Sequence, residues 1–249
     1  MIEENRTDFG FQSVSPRDKT RRVGEVFSSV AGSYDLMNDL MSLGLHRLWK
    51  RHAVRISRVR PGAHILDLAG GTGDMTALFK DRVGGTGKIV VADINESMLS
   101  EGRARLIDRG IVEGISYVRT NAEELPFRDN SFNCICIAFG LRNVTDKFRA
   151  LVSMREKLKY GGNVIILEFS RVAAPLLKEL YDLYSFRLIP VLGELVAKDR
   201  DSYQYLVESI RKHPNQEELK NMMEDAGFRR VSYYNMTGGV VAIHTGYKI

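Results

Sequence analysis

Residues 65–76 read "ILDLAGGTGDMT". An apolar run carrying one acid, Asp67, ends in Gly70, Gly71 and Gly73, and Asp74 then opens a helical pattern. This predicts a strand, a tight turn and a helix start, where glycine lets the backbone press closely on a ligand. The dinucleotide fingerprint G-x-G-x-x-G places its last glycine where helix and strand close on each other. Here Gly71-Thr72-Gly73 is followed by Asp74, Met75 and Thr76, so that glycine is missing. Asp74 also puts a negative charge where a pyrophosphate would lie, and a helix N-terminus tolerates one anion better than two. A ligand without phosphate meets no such obstacle.

Around this turn, short apolar runs alternate with helical segments. Strands are expected at 63–68, 88–93, 115–120, 133–139 and 163–169, with helices at 74–83, 97–109 and 145–159. That alternation implies βαβ units, an α/β fold and a parallel sheet. Later, "NQEELKNMMEDAG" carries Asn215 as N-cap, Glu218 as its capping-box partner and Gly227 beyond the end. Leu219, Met222, Met223 and Ala226 give that helix one apolar face. Strands at 231–235 and 240–247, separated by "MTGG", should pair as an antiparallel hairpin. A nicotinamide-binding Rossmann sheet continues with a parallel sixth strand, whereas the S-adenosylmethionine (SAM) methyltransferase sheet inserts an antiparallel last one. The ending favours the methyl donor.

The 249 residues suit one domain over 20–249, behind a loose polar arm at 1–19. A helical lead-in is expected over 20–60 and a helical insertion over about 171–213. With 44% hydrophobic and 27% charged residues the chain reads as globular, and a net charge of +5 is too dilute for a nucleic-acid footprint. Cys134 and Cys136 alternate in "CICIAF", so they share one face of a buried strand and do not bridge. The opening "MIEENRTDFG" shows no secretory signal, and no apolar run is long enough to cross a bilayer. A cytoplasmic location is expected. The histidines lack metal-ligand spacing, so no metal is expected.

Three strand ends carry groups suited to an adenosyl ligand. Asp93, after the second strand, can accept both ribose hydroxyls. Asn121 and the small Ala122, after the third, suit the edge and face of an adenine ring. Asp67 could hold loop amides or reach the donor's amino-acid end. Ligands of open α/β sheets sit at these carboxyl ends.

At this point the chain resembles the ubiquinone/menaquinone biosynthesis C-methyltransferase (UbiE) family, class I SAM-dependent methyltransferases with a Rossmann-like sheet. The resemblance rests on "SYDLMNDLMSLGLHRLWKR", "ILDLAGGTGDMT", "ADINESML", "NAEELPF", "FGLRNVTDK", "DSYQYLVESIRKHP" and "YYNMTGGVVAIHTGYK", and runs from about residue 9 to the end. It implies SAM as donor, with contacts at Gly71, Thr72, Asp93, Asn121 and Ala122. It implies a reduced polyprenyl quinone precursor as substrate, either demethylmenaquinol or 2-methoxy-6-polyprenyl-1,4-benzoquinol. The family often has serine where this chain has Ala138, so a hydroxyl contact to the donor is expected to be missing. Tyr160, where proline is usual, is expected in a turn away from the site.

Methylating a ring carbon needs a reduced ring, loss of a phenolic proton and stabilisation of the oxyanion. Arg142, just past the fourth strand, is expected to face the donor's methyl group as phenolate stabiliser, with Asn143 orienting the same network. Arginine itself is too basic to act as the base. Tyr34, Asp201, Tyr203 and His213 are further candidates for a proton relay. The apolar residues from Leu176 to Val196 suggest a helical cap, a homodimer surface or a tunnel for a polyprenyl tail. Arg47, Lys50, Arg51 and Arg55 share a helix face suited to an anionic leaflet, which would bring peripheral contact with the inner membrane or with other quinone-biosynthesis enzymes. The rivals are an NAD(P)-dependent Rossmann oxidoreductase, a non-catalytic adapter and an RNA methyltransferase.

Overall fold

The computed structural model describes residues 6–172 and 199–249, together with Arg187, Val191 and Glu194. The readings of a cap, dimer surface or tail tunnel between Leu176 and Val196 therefore lie outside the described residues. So does the side chain of Tyr34.

The chain starts with a hairpin of β1 (Thr7–Phe9) and β2 (Gln12–Val14), then α1 (Pro16–Val30), α2 (Tyr34–Ser42) and α3 (His46–Ile56). There follow β3 (His64–Leu68), α4 (Asp74–Val83), β4 (Lys88–Asp93), α5 (Glu96–Asp108), β5 (Ile115–Arg119) and β6 (Phe132–Ala138). After a short 3-10 turn at Leu141–Asn143 come α6 (Lys147–Lys157), β7 (Leu158–Phe169), α7 (Arg200–Lys212), α8 (Gln216–Asp225), β8 (Arg229–Met236) and β9 (Val241–Tyr247). The large sheet has the order β5-β4-β3-β6-β7-β9-β8. Strands β3 to β7 run parallel, and β9 slots antiparallel between β7 and β8. The inserted last strand is the ending expected from the terminal hairpin.

Strand β6 shows why both sheet faces are covered. Cys134 and Cys136 point into the cluster beneath α1, α3, α4 and α7, while Ile135 and Ile137 point into the cluster beneath α6 and α8. A parallel strand buried on both faces reads as an unbroken apolar run, and this one does. Both cysteines are free thiols, fully buried. Several helices begin where side-chain oxygens satisfy orphan amides, although α3 and α4 start without such a cap. Asn95 caps α5, Asp146 caps α6, and Asn215 with Glu218 forms the capping box of α8.

Three expectations change. The supposed loose arm is ordered from Thr7, because the Phe9 ring stacks on Tyr205 with centroids 4.2 Å apart and Phe11 N donates to Glu208 Oε2 at 3.0 Å. Strands of three residues are too short to show a period of two. Tyr160 is not in a turn: β7 begins at Leu158, bulged against β6, and Lys248 sits over the exposed Tyr160 ring. Lys50 does not share the outer face of α3; it is 5% exposed and turned inward, while Arg47, Arg51 and Arg55 stay exposed.

Helix α5 packs directly onto the backbone of the glycine turn. A Cβ on Gly102 would lie 2.2 Å from the Gly71 carbonyl oxygen. In an isolated helix, alanine would be better than glycine by about 1 kcal/mol. Against a rigid backbone oxygen the clash should win, with overpacking costs of about 1–3 kcal/mol. Gly102→Ala is therefore expected to lower the urea midpoint; an unchanged or raised midpoint would show that α5 can move off the loop.

Candidate active site

The glycine turn is held open by left-handed backbone at Ala69 (φ 52°), Gly71 (φ 48°) and Gly73 (φ 80°). Gly70 N donates to the Ala92 carbonyl of β4 at 3.1 Å, and Gly73 N closes the turn on Gly70 O at 2.9 Å. Gly71 N donates to Asp93 Oδ2 at 3.1 Å, and Asn95 N donates to Asp93 Oδ1 at 2.9 Å. Burial pushes the Asp93 carboxyl up to about 6, although these amides pull the other way. No lysine, arginine or histidine among the described residues pairs with it. An acid at the floor of a crevice, with lone pairs to spare and no cation, suits a diol donor and repels a phosphate.

A crevice opens over these strand ends. Gly71, Asp93, Asn121, Ala122 and Asn143 line it, so five of the seven expected site residues converge there. Asn121 Oδ1 also accepts from Glu123 N at 3.1 Å, which fixes its side chain at the rim. The opposite wall comes from α1, through Thr20, Val23, Gly24 and Phe27, with Met98 and Phe139 closing the ends. Asn95 latches that wall in place: its Nδ2 donates to Gly24 O and to Ser28 Oγ, each at 3.0 Å, while its Oδ1 caps α5. Asn95 went unremarked in the sequence, because a side chain that reaches across to α1 leaves no local pattern.

Four residues stand elsewhere than expected. Thr72 is buried under α5 and does not border the crevice. Asp67 reaches neither crevice nor loop amides; its Oδ2 accepts from Thr76 Oγ1 at 2.6 Å, its Oδ1 has no partner, and burial pushes its carboxyl up to about 7. Asp74 is neutralised by Lys50 at 2.8 Å, so its charge is no bar to a pyrophosphate. What disfavours one is that the Gly71 amide is committed to Asp93 rather than offered to an anion.

Arg142 departs most from expectation. Its guanidinium is 2% exposed and paired with Glu168, itself 1% exposed, at 2.8 Å. Nη1 also donates to the Phe139 carbonyl at 2.5 Å, and Glu168 Oε2 accepts from the Arg142 backbone amide at 3.2 Å. The side chain thus folds back under its own turn and away from the crevice, because Glu168 at the end of β7 offers a buried carboxylate. Asn143 does border the crevice, and Tyr205 fixes it by donating to Asn143 Oδ1 at 3.0 Å. Of the relay candidates, Asp201 is exposed while Tyr203 and His213 are buried, and none lines the crevice. Glu168, Lys50 and Tyr205 were missed in the sequence, since each acts through a partner far along the chain.

Solved structures share this fold. A SAM-dependent methyltransferase from Thermotoga maritima superposes with a TM-score of 0.63 at 20% identity, covering 91% of this chain and 100% of that one. One from Aquifex aeolicus gives 0.60 at 16%, covering 86% and 98%. At such identities the likeness is one of fold. In sequence the relatives are much nearer. The "Ubiquinone/menaquinone biosynthesis C-methyltransferase UbiE" of Idiomarina loihiensis is 59% identical over 98% of both chains. That of Teredinibacter turnerae is 56% identical over 100% of both. The family model described as "ubiE/COQ5 methyltransferase family" matches residues 16–248. The chain therefore belongs to the ubiE/COQ5 methyltransferase family.

Proposed function

We propose that this protein uses SAM to methylate a ring carbon of a reduced polyprenyl quinone precursor, demethylmenaquinol or 2-methoxy-6-polyprenyl-1,4-benzoquinol or both. The relatives named above are called C-methyltransferases of ubiquinone/menaquinone biosynthesis. One observation in the structure supports it most: a half-buried Asp93 at the strand end, with no cation paired to it among the described residues, bound to the glycine turn and facing a crevice walled by Val23, Phe27, Met98 and Phe139. The residues fit a phosphate-free nucleoside. Asp93 would accept the ribose hydroxyls, Asn121 and Ala122 would meet the adenine, and the open Gly71 backbone would lie against the sulfur side. Bound there, SAM supplies an electrophilic methyl group.

The chain's own part is positioning and exclusion of water. The apolar side chains of the α1 wall hold a ring flat and keep solvent from the reacting face. Asn143, oriented by Tyr205, offers a polar group to the ring's hydroxyl or to a water that takes its proton. Arg142 does not touch the ring in this arrangement. It holds the 141–143 turn in place through Glu168 and so positions Asn143. No helix among the described residues is long and apolar enough to cross a membrane. Exposed Arg47, Arg51 and Arg55 with exposed Leu43 and Leu48 suit peripheral contact with an anionic leaflet, where a polyprenyl substrate resides.

Three outcomes test this. Purified protein given SAM should methylate one or both reduced quinols and neither oxidised quinone; SAM binding without product from either quinol would remove the substrate assignment. In calorimetric titrations, SAM affinity should fall about tenfold between pH 7.5 and pH 5, because protonating Asp93 near pH 6 removes an acceptor. Asp93→Asn should bind weakly at every pH and lose that slope, and equally tight binding of NADH would favour the oxidoreductase instead. Finally, Arg142→Ala should cost stability by about 3–5 kcal/mol, because it strands a buried Glu168 charge. Pairing Arg142→Met with Glu168→Leu should recover most of that stability but not turnover. A stable Arg142→Ala protein that has lost only turnover would return the arginine to the reacting ring.

A further inference from the structure

A second cavity, of about 40 Å³, lies behind the 141–143 turn, between the N-terminal hairpin, α1, α6 and α7. Its charged lining sets four cations, Lys19, Arg142, Lys147 and Lys212, against one carboxylate, Asp8. Lys19 is 2% exposed, and its Nζ donates to the Val144 carbonyl at 3.2 Å and to Thr7 Oγ1 at 3.5 Å. Lys147 Nζ donates to the same Val144 oxygen at 3.3 Å. Two ammonium groups thus converge on one neutral oxygen, and neither has a carboxylate within ion-pair distance among the described residues. Arg142 lines the cavity too, and its buried Nε has no partner.

The nearby acids are engaged elsewhere. Asp8 pairs with Lys212 at 3.5 Å and Glu168 with Arg142 at 2.8 Å. Glu123 accepts from the Asp146 amide, and Asp146 caps α6 through Arg149 N. Burial, reinforced by the neighbouring Lys147, pushes Lys19 down to about 8, and burial lowers Lys147 as well. Asp8 and Glu123 act on both lysines only at a distance. Like charges held side by side, one buried and one half-buried, with no direct ion pair are costly, and an anion between them lowers the cost.

We propose that this cavity binds a small free oxyanion of the phosphate or carboxylate kind, held between Lys19 and Lys147 with the Arg142 Nε–H as a third donor. A void of this size has room for a few heavy atoms beyond a water. The hairpin forms its outer wall through Thr7, Asp8 and Gly10, and Gly10 sits so close to Glu208 that a Cβ there would lie 2.2 Å from Oε2. A lipid headgroup or a macromolecule would have to lift this wall, whereas a dissolved ion needs only its transient opening. Occupancy then ties the hairpin, α1 and α6 together around one charge.

The test uses the full chain and inorganic phosphate, titrated at constant ionic strength against a bulky organic sulfonate. Amide hydrogen exchange of residues 7–14 and the thermal midpoint are followed. Exchange in the hairpin should slow about tenfold at phosphate ten times its dissociation constant, with a saturable rise in midpoint. Acetate giving the same protection would support a carboxylate occupant, and phosphate alone giving it a phosphate one. The double variant Lys19→Gln/Lys147→Gln should lose both responses. An equal midpoint rise in both proteins, as general exclusion of phosphate would produce, overturns the site. So does protection by vesicles of phosphatidylglycerol but not by free phosphate. If the double variant does not fold, the wild-type exchange decides, and unchanged rates overturn the site. A SAM titration run in parallel keeps this separable from the methyl-transfer reading, because neither lysine lines the donor crevice.

Discussion

The contact on which the site depends is the hydrogen bond from the Gly71 amide to Asp93. It joins the turn after β3 to the end of β4, so the two strand tips that would meet a nucleoside are held as one piece. The second oxygen of the same carboxylate takes the Asn95 amide, and the Asn95 side chain reaches across to α1. One half-buried acid thus fixes the floor of the crevice, and through its neighbour fixes the opposite wall. In a low-dielectric setting such a network is rigid when complete and expensive when a member is missing. That explains how a wall contributed by residues 20–27 can stand against a floor more than forty positions away in sequence.

The arrangement is not favourable for the unliganded fold. Asp93 and Asp67 are both pushed upward by burial, to about 6 and about 7. Between the unfolded value near 4 and these values the native chain binds protons that the unfolded chain does not, so stability falls as pH rises through that window. At neutral pH the fold therefore carries ionised acids that its interior disfavours. Left-handed backbone at Ala69 and Phe139 adds strain at the same strand ends. Such local costs gather where a ligand will supply missing partners. Ribose hydroxyls donating to Asp93 would be such partners.

Much of the sheet was legible because it rests on local pattern. The strand at 88–93 and the helix at 74–83 match β4 and α4, and the capping box at Asn215 needed only four residues of context. The convergence of Gly71, Asp93, Asn121 and Ala122 on one crevice was legible for the same reason, since they lie at strand tips whose position follows from the alternation. What was not legible involves pairs distant in the chain. Lys50 meets Asp74, Arg142 meets Glu168, and Phe9 meets Tyr205, and none of these leaves a periodic trace. The error over Arg142 has a specific cause. A position just past a strand end sets where the backbone goes, but a long side chain goes where its charge is neutralised, and here that is into the core.

That inward turn divides labour within three consecutive residues. Asn143 faces the crevice, Arg142 faces the second cavity, and Leu141, the first residue of the turn, is fully buried. The short 3-10 turn is therefore a partition rather than a rim. Its crevice side is steadied by Tyr205, whose ring also carries the Phe9 stack of the hairpin. Any change that loosens the hairpin reaches Asn143 through a single aromatic ring. Asn143 at the crevice thus draws its placement from the first strand of the chain, through the stack that packs a hairpin of such short strands against α7.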